Sequence, residues 1–386
     1  MRISPFAAAL AAAAPLTLTS AQTATTRPDS APRLTFGAFV DGYYAYDAGR
    51  PPTRDRSFAG GTLFGTQPAR HNEFNVNLAF VEAAVAAEHY RGRLAVQFGT
   101  SVQANYAGEP RTGQVSGPDV QQYLQEATAG YRVADRLWVD GGIFFSHLGM
   151  ESWVSRDNPT YTRSLVADYS PYYSTGVKLT YAASPKLTAR LDVVNGWQNI
   201  SENNQGKGAG LRLDYAVTPA ATVSYYNFVG AEAGTRLRTY NGAGLRVTAG
   251  ALMLLVEGDV GTQQRPMGDD GSGTRGVSTW YGLLGVARAQ VAPQVALVGR
   301  VERYDDRDQV ILVTGAPAPG AAPNPAFRGT GASFGVDVQP VAGAPRVLWR
   351  TEVRGFRTRD PVFPDGADGG ARRTDGFAVT SFALTF

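Results

Sequence analysis

The ten residues Phe377-Ala-Val-Thr-Ser-Phe-Ala-Leu-Thr-Phe386 constrain this chain more than any other stretch. In an extended segment Phe382, Leu384 and Phe386 fall on one side, with Ala378 and Thr380 behind them, and Ser381, Ala383 and Thr385 fall on the other. Bulky apolar groups on one face, small or polar groups on the other and an aromatic residue at the end suit a wall with lipid outside and water inside. A half-buried strand closing a soluble sheet carries the same alternation, so the rest of the chain has to separate the two.

The same period of two recurs along the sequence. Leu187, Ala189, Leu191 and Val193 oppose Thr188, Arg190 and Asp192; Leu211, Leu213, Tyr215 and Val217 oppose Arg212 and Asp214. Val347, Trp349, Thr351 and Val353 oppose Arg350, Glu352 and Arg354. Branched and aromatic residues at every second position are a strand signal. No segment has the period of an amphipathic helix, apart from a short candidate at 118–126. Beyond the N-terminal region no run of eighteen apolar residues occurs, which excludes a bundle of spanning helices.

The N-terminus points the same way. Arg2 precedes a short apolar stretch, Phe6 to Leu18, broken by Pro15, and Thr19-Ser20-Ala21 offers a cut site. This is the layout of a secretory signal peptide over 1–21, followed by a flexible lead-in at 22–32 and a barrel domain over 33–386. Without Arg2 the formal charge falls from +3 to +2, far from the concentrated basic face of a nucleic-acid binder. There is no cysteine, hence no disulfide, thiolate nucleophile or Cys-based metal site. The three histidines, His71, His89 and His147, have no metal-ligand spacing, and no cofactor is expected. Only Lys178, Lys186 and Lys207 break the dominance of arginine among 36 basic residues.

Tight connections are expected near 89–92, 134–136, 184–186, 218–221, 248–251, 292–294 and 341–345. Longer Gly/Pro/Asp-rich loops alternate with them near 47–71, 105–120, 149–170, 198–206, 230–236, 262–276, 305–329 and 358–373. Seven turns and eight loops join about sixteen strands. The implied fold is all-β: a transmembrane antiparallel up-and-down β-barrel with short periplasmic turns and long extracellular loops. A β-propeller needs a constant period and a repeated motif, and neither is present.

If the apolar faces meet lipid, the opposite faces meet the lumen. Predicted lumenal charges are Arg93, Glu126, Arg132, Asp140, Lys178, Arg190, Asp192, Arg212, Asp214, Arg246, Arg288, Arg300, Glu302, Arg350, Glu352 and Arg354. They are expected to stay solvated in a water-filled channel of weak ion selectivity, leaning to anions; bracing ladders along the wall are the alternative. Phe36, Tyr173, Tyr181, Trp197, Tyr215, Trp349 and Phe386 are expected to face outward in interfacial girdles. The loop at 149–170, with Glu151, Arg156, Asp157, Arg163 and Asp168, is the candidate by charge content to fold inward and narrow the lumen; the loop at 305–329 is the candidate by length, although its Ala/Pro-rich run reads more like a surface loop.

Several pieces resemble the OmpL-like β-barrel porin family: Phe39-Val-Asp-Gly-Tyr-Tyr-Ala-Tyr46, Arg70-His-Asn-Glu-Phe-Asn-Val-Asn-Leu78, Gln125-Glu-Ala, Gly141-Gly-Ile-Phe, Leu148-Gly-Met-Glu151 and Val194-Asn-Gly-Trp197. The resemblance covers the chain to about residue 215 and then thins. It implies an outer-membrane pore and brings no catalytic residues.

A catalytic Ser/His pair is not expected, because neighbours Ser146 and His147 point to opposite faces of a strand. Gly208-Ala-Gly and Gly242-Ala-Gly lack the strand-to-helix setting of a dinucleotide site and read as close-packing positions. The expected protein is an outer-membrane porin for passive diffusion of small hydrophilic solutes. Its expected partners are membrane lipid and the barrel-assembly machinery through the strand ending at Phe386, and the barrel is expected either as a monomer or as a homotrimer. Alternatives are a substrate-selective channel, a closed structural or adhesive barrel and, last, a barrel enzyme.

Overall fold

The structure is a computed structural model that describes residues 31–267, 275–315, 324–341, 346–366 and 370–386. The expected signal peptide at 1–21 and most of the lead-in lie outside the described residues. So do the middles of the loops at 262–276 and 305–329, and most of the turn at 341–345.

Sixteen strands close into one antiparallel barrel. In chain order the first eight are β1 (Arg33–Asp47), β2 (Phe74–Ala86), β3 (Tyr90–Phe98), β4 (Leu124–Ala134), β5 (Leu137–Phe145), β6 (Tyr173–Ser184), β7 (Leu187–Val194) and β8 (Gly208–Thr218). They are followed by β9 (Ala221–Ala233), β10 (Arg236–Ala249), β11 (Leu252–Met267), β12 (Arg275–Ala292), β13 (Val295–Asp306), β14 (Phe327–Val338) and β15 (Val347–Thr358). A separate hairpin, β16 (Phe363–Asp365) with β17 (Gly370–Arg372), sits in the last long loop, and β18 (Thr374–Thr385) completes the wall. Closure is made by β18 against β1, with Phe39 opposite Thr385 and Asp47 opposite Phe377. Every strand then has two neighbours, so no row of backbone donors faces hydrocarbon unpaired.

The expected alternation of turns and loops holds with one exception. The connection at 230–236 is a two-residue turn between β9 and β10, with Gly234 at φ 70°. Its Ala-Gly-Thr composition reads as a loop, but the strands run through it and glycine supplies the left-handed corner. Just before four of the short turns the pairing shifts by one residue, at Arg132/Ala134, Ala182/Ser184, Ala216/Thr218 and Gln290/Ala292. Such bulges add the local twist that a closed sheet requires. In the expected helical stretch at 118–126 the helix α2 covers only Pro118–Gln121, and β4 begins at Leu124. The helices α1 (Thr100–Tyr106) and α3 (Leu165–Asp168) had no sequence signal of their own. Among the described residues no helix is long and apolar enough to cross a membrane.

The wall separates two environments. Outward positions carry exposed apolar groups such as Val301, Phe334, Trp349, Val353 and Phe382. Inward positions of the same strands carry buried Arg300, Ser333, Arg350, Glu352 and Ser381. A continuous exposed apolar belt is a liability in water and the natural surface in lipid. Of the aromatic rings expected to face outward, Phe36, Tyr181, Tyr215, Trp349 and Phe386 do so. Tyr173 and Trp197 do not. Tyr173 is buried and stacks on Tyr106 of α1 with ring centroids 4.3 Å apart. Trp197 packs edge-on against Phe228 and Tyr240 inside the barrel. Both lie where a strand gives way to an inward-turning loop, so strand-end alternation misassigns them.

Candidate functional site

The third long loop, residues 146–172, joins β5 to β6 and folds into the barrel. Its anchors run around the lumen. His147 sets Nδ1 3.0 Å from Asp192 Oδ2 on β7 and pairs Nε2 with the Asn227 carbonyl of β9 at 2.7 Å. Arg212 of β8 donates to the Gly149 carbonyl (2.7 Å) and Arg246 of β10 to the Met150 carbonyl (3.3 Å). Met150 N donates to Glu257 of β11 (2.9 Å). On the far side Trp153 Nε1 donates to Gln97 of β3 (2.9 Å) and Ser155 Oγ to Asp41 of β1 (2.7 Å). Gly210 and Gly242 face these contacts from the wall. A Cβ at Gly210 would collide with the His147 ring, and one at Gly242 with Tyr226 and Asp259.

The tightest anchoring is to β13 and β15. Arg300 donates to the Thr162 carbonyl (2.6 Å) and to Glu352 (2.9 Å), and Glu352 accepts from Thr162 N (2.8 Å). Glu302 accepts from Leu165 N (2.6 Å) and from Arg354 (2.6 Å), and Arg354 also donates to the Arg163 carbonyl (2.8 Å). Arg350 bridges Asp337 of β14 (2.8 Å) and the carbonyls of Ser155 and Pro159 (both 2.7 Å). The expectation that these charges stay solvated fails here. Arg300, Glu302, Arg350, Glu352 and Arg354 are at most 5% exposed, and each faces an opposite charge plus loop backbone. The desolvation that would forbid isolated charges is met by these paired, hydrogen-bonded contacts.

The charges of the short-turn half are arranged differently. Arg91 is bidentate to Asp140 (2.7 and 2.5 Å), Arg93 spans Glu82 (2.8 Å) and Glu126 (2.6 Å), and Arg190 is bidentate to Asp192 (2.8 and 2.7 Å). Arg212 pairs with Asp214 (2.9 Å) and Arg288 with Asp337 (3.3 Å). Lys178 lies over the Phe144 ring at 4.8 Å, and Arg132 is tied to Glu88 beside the β2–β3 turn (2.9 Å). In most of these pairs the acid is the buried member. The side chains of Asp140, Asp192 and Glu126 are 3%, 0% and 7% exposed, against 31%, 18% and 35% for Arg91, Arg190 and Arg93.

Within the loop, Glu151 accepts from Ser164 N (3.0 Å) and from the Ser164 hydroxyl. Burial pushes its carboxyl above the usual carboxylate range, against the pull of Arg300 and Ser164. Burial likewise raises Asp157, opposed by Arg156, Arg93 and Arg350. Arg156 reaches the Thr385 hydroxyl. Arg163 lies over the Trp153 and Tyr172 rings (4.4 and 4.0 Å) and 3.5 Å from Asp168, which accepts from Thr66 of the first long loop (2.8 Å). These five residues therefore brace the loop, and most of their partners are other loop groups.

Sequence reasoning missed Asp41, Glu82, Arg91, Glu257, Asp259 and Asp337, all of which point inward. The signal existed for Asp337, between Val336 and Val338, and for Glu257 and Asp259, which alternate with Val256 and Val260. Arg91 was absorbed into an expected turn, and Asp41 sits at a register shift of β1 against β2.

A sealed sixteen-stranded wall, an apolar belt and a loop folded across a charged interior define a porin-type outer-membrane barrel. Residues 33–386 match the model of the family described as "Putative beta-barrel porin-2, OmpL-like", and the chain belongs to that family of outer-membrane porins. Solved structures share the fold at low identity. The anion-selective porin from Comamonas acidovorans is 10% identical, with a TM-score of 0.56 over 92% of this chain and 100% of that one. The outer membrane channel DcaP of Acinetobacter baumannii is 10% identical, with a TM-score of 0.56 over 92% and 97%. Salmonella typhi OmpF, in a complex with daunomycin, is 13% identical, with a TM-score of 0.55 over 92% and 97%. No curated protein matches the chain. Family and fold point to a channel rather than an enzyme.

Proposed function

We propose that the protein passes small hydrophilic solutes down their gradient, with a preference for anions, and that loop 146–172 sets the narrowest point. The observation that carries the preference is the inequality within the ion pairs of the short-turn half. Buried carboxylates hold guanidinium groups of Arg91, Arg93 and Arg190 whose outer faces meet water. A solute then meets the arginines first, and a fixed positive lining draws anions into a narrow water path. Export by a signal peptide at 1–21, insertion through the strand ending at Phe386 and assembly as a trimer belong to the same proposal. A structural neighbour of 11% identity, OmpT of Vibrio cholerae, is described in a trimer form.

The test is single-channel conductance of the refolded mature chain in a planar bilayer under a salt gradient. Open steps reversing toward the chloride potential support the proposal, and reversal toward the potassium potential overturns the charge argument. A second reading, a closed barrel whose loops bind a partner, is favoured by the anchoring of loop 146–172 to opposite walls. Folded protein that gives no steps would overturn the channel reading and favour this one.

A further inference from the structure

We propose that the outer wall of the barrel, at the long-loop end of β12–β15, binds the phosphorylated headgroup of a lipid in the leaflet that the long loops face. Strand register builds the site. Arg303, Thr330 and Arg357 lie in one outward row across β13, β14 and β15. One step toward the loops, Tyr281, Asp305 and Arg328 form the next row, and Arg359 N bonds to the Arg328 carbonyl at 2.9 Å. Arg303, Arg328, Arg357 and Arg359 line a groove of about 320 Å³ with Asp305 and Thr330. A second groove of about 390 Å³, lined by Arg265, Tyr281 and Arg307, shares Asp305 with it.

The guanidinium groups are under-neutralised. Arg303 donates to the Tyr281 hydroxyl at 3.2 Å and stands 3.9 Å from Asp305, and Arg328 stands 3.5 Å from Asp360. Arg357 and Arg359 have no carboxylate partner among the described residues, and Arg328 Nε is buried without an acceptor. Four basic groups thus face two acids. Toward the membrane centre the wall turns apolar, with exposed Val301, Phe334 and Val353. The grooves therefore lie where hydrocarbon gives way to headgroups. A lipid can lay its chains on the valines and phenylalanine while its phosphate meets planar forks suited to two-point hydrogen bonding. Free phosphate would leave that apolar shelf unused, which is why the lipid is the assigned occupant.

Native mass spectrometry of the full mature barrel in neutral detergent tests this, with lipid A bearing two phosphates as the probe and phosphatidylcholine as the control. Retention of lipid A over phosphatidylcholine is expected, weaker by about ten-fold or more in the triple variant Arg303→Gln/Arg357→Gln/Arg359→Gln. The three side chains point away from the lumen, so heat-modifiable gel migration and conductance should stay as in the parent and report correct folding. Lysine at the same positions keeps the charge and should hold more lipid than glutamine does. Equal retention by parent and glutamine variant, displacement by excess inorganic phosphate, or a cross-link from position 357 to a second copy would each overturn the assignment.

Discussion

The two walls of the lumen use the same residue types in the same alternation and put them to different ends. On β13 and β15, Arg300, Glu302, Arg350, Glu352 and Arg354 are sealed under loop 146–172. On β3 to β8, Arg91, Arg93 and Arg190 stand on buried acids and keep an open face. A charge in this lumen is structural where the loop covers it and water-facing where it does not. The loop's position, not the strand sequence, makes that division.

The largest way to break the contrast is at Glu302. Alanine there leaves Arg354 and Arg300 buried with too few acceptors, and the cost should be about 3–5 kcal/mol. Urea titration of the folded barrel in vesicles would measure it, and the loosened loop should raise single-channel conductance. A cost below about 1 kcal/mol would show that water already reaches this wall. On the other wall Arg190→Gln leaves Asp192 facing His147. Because Asp192 is buried and loses its bidentate partner, a stability loss of about 1–3 kcal/mol is expected, while the reversal potential in a salt gradient moves toward cations. An unchanged potential would remove Arg190 from the ion path.

A pH series sharpens the comparison further. Burial raises Glu151 in the folded loop above its ordinary value, so the folded chain holds that proton more tightly than the unfolded chain. The contribution is greatest below the ordinary carboxylate range and is lost as pH rises through the raised value. Glu151→Gln should flatten that part of the decline in melting temperature between acid and neutral pH, and an unaltered slope would contradict the burial argument. The smallest effect is expected from Tyr304→Phe. Its hydroxyl is buried with no partner among the described residues, so its removal should change stability by less than about 0.5 kcal/mol or raise it slightly. A loss above about 1 kcal/mol would reveal a bonded water or ion at that hydroxyl.

Much of the wall was legible in advance because a barrel strand has one chemical rule, apolar out and polar in, repeated every two residues. The inward positions of Arg190, Asp192, Arg212, Asp214, Arg350, Glu352 and Arg354 follow from it, as does the strand number. Tyr173 and Trp197 defeated the rule because they stand at junctions where the chain leaves the wall, and there periodicity no longer says which way a ring turns. The loop's inward fold was anticipated from charge content alone, but its anchors were not. Pairs such as Thr162 with Glu352 or Ser155 with Asp41 lie more than a hundred residues apart and have no local pattern.

By itself, then, the sequence determined the closed sheet, its lipid-facing belt and the identity of most charges inside it, since alternation is a local property of the strand. Tertiary structure alone decided which of those charges stay dry. Whether an arginine meets water or a buried acid and a loop carbonyl depends on where loop 146–172 comes to rest, and that is fixed only once the barrel has brought β1, β7, β13 and β15 around it.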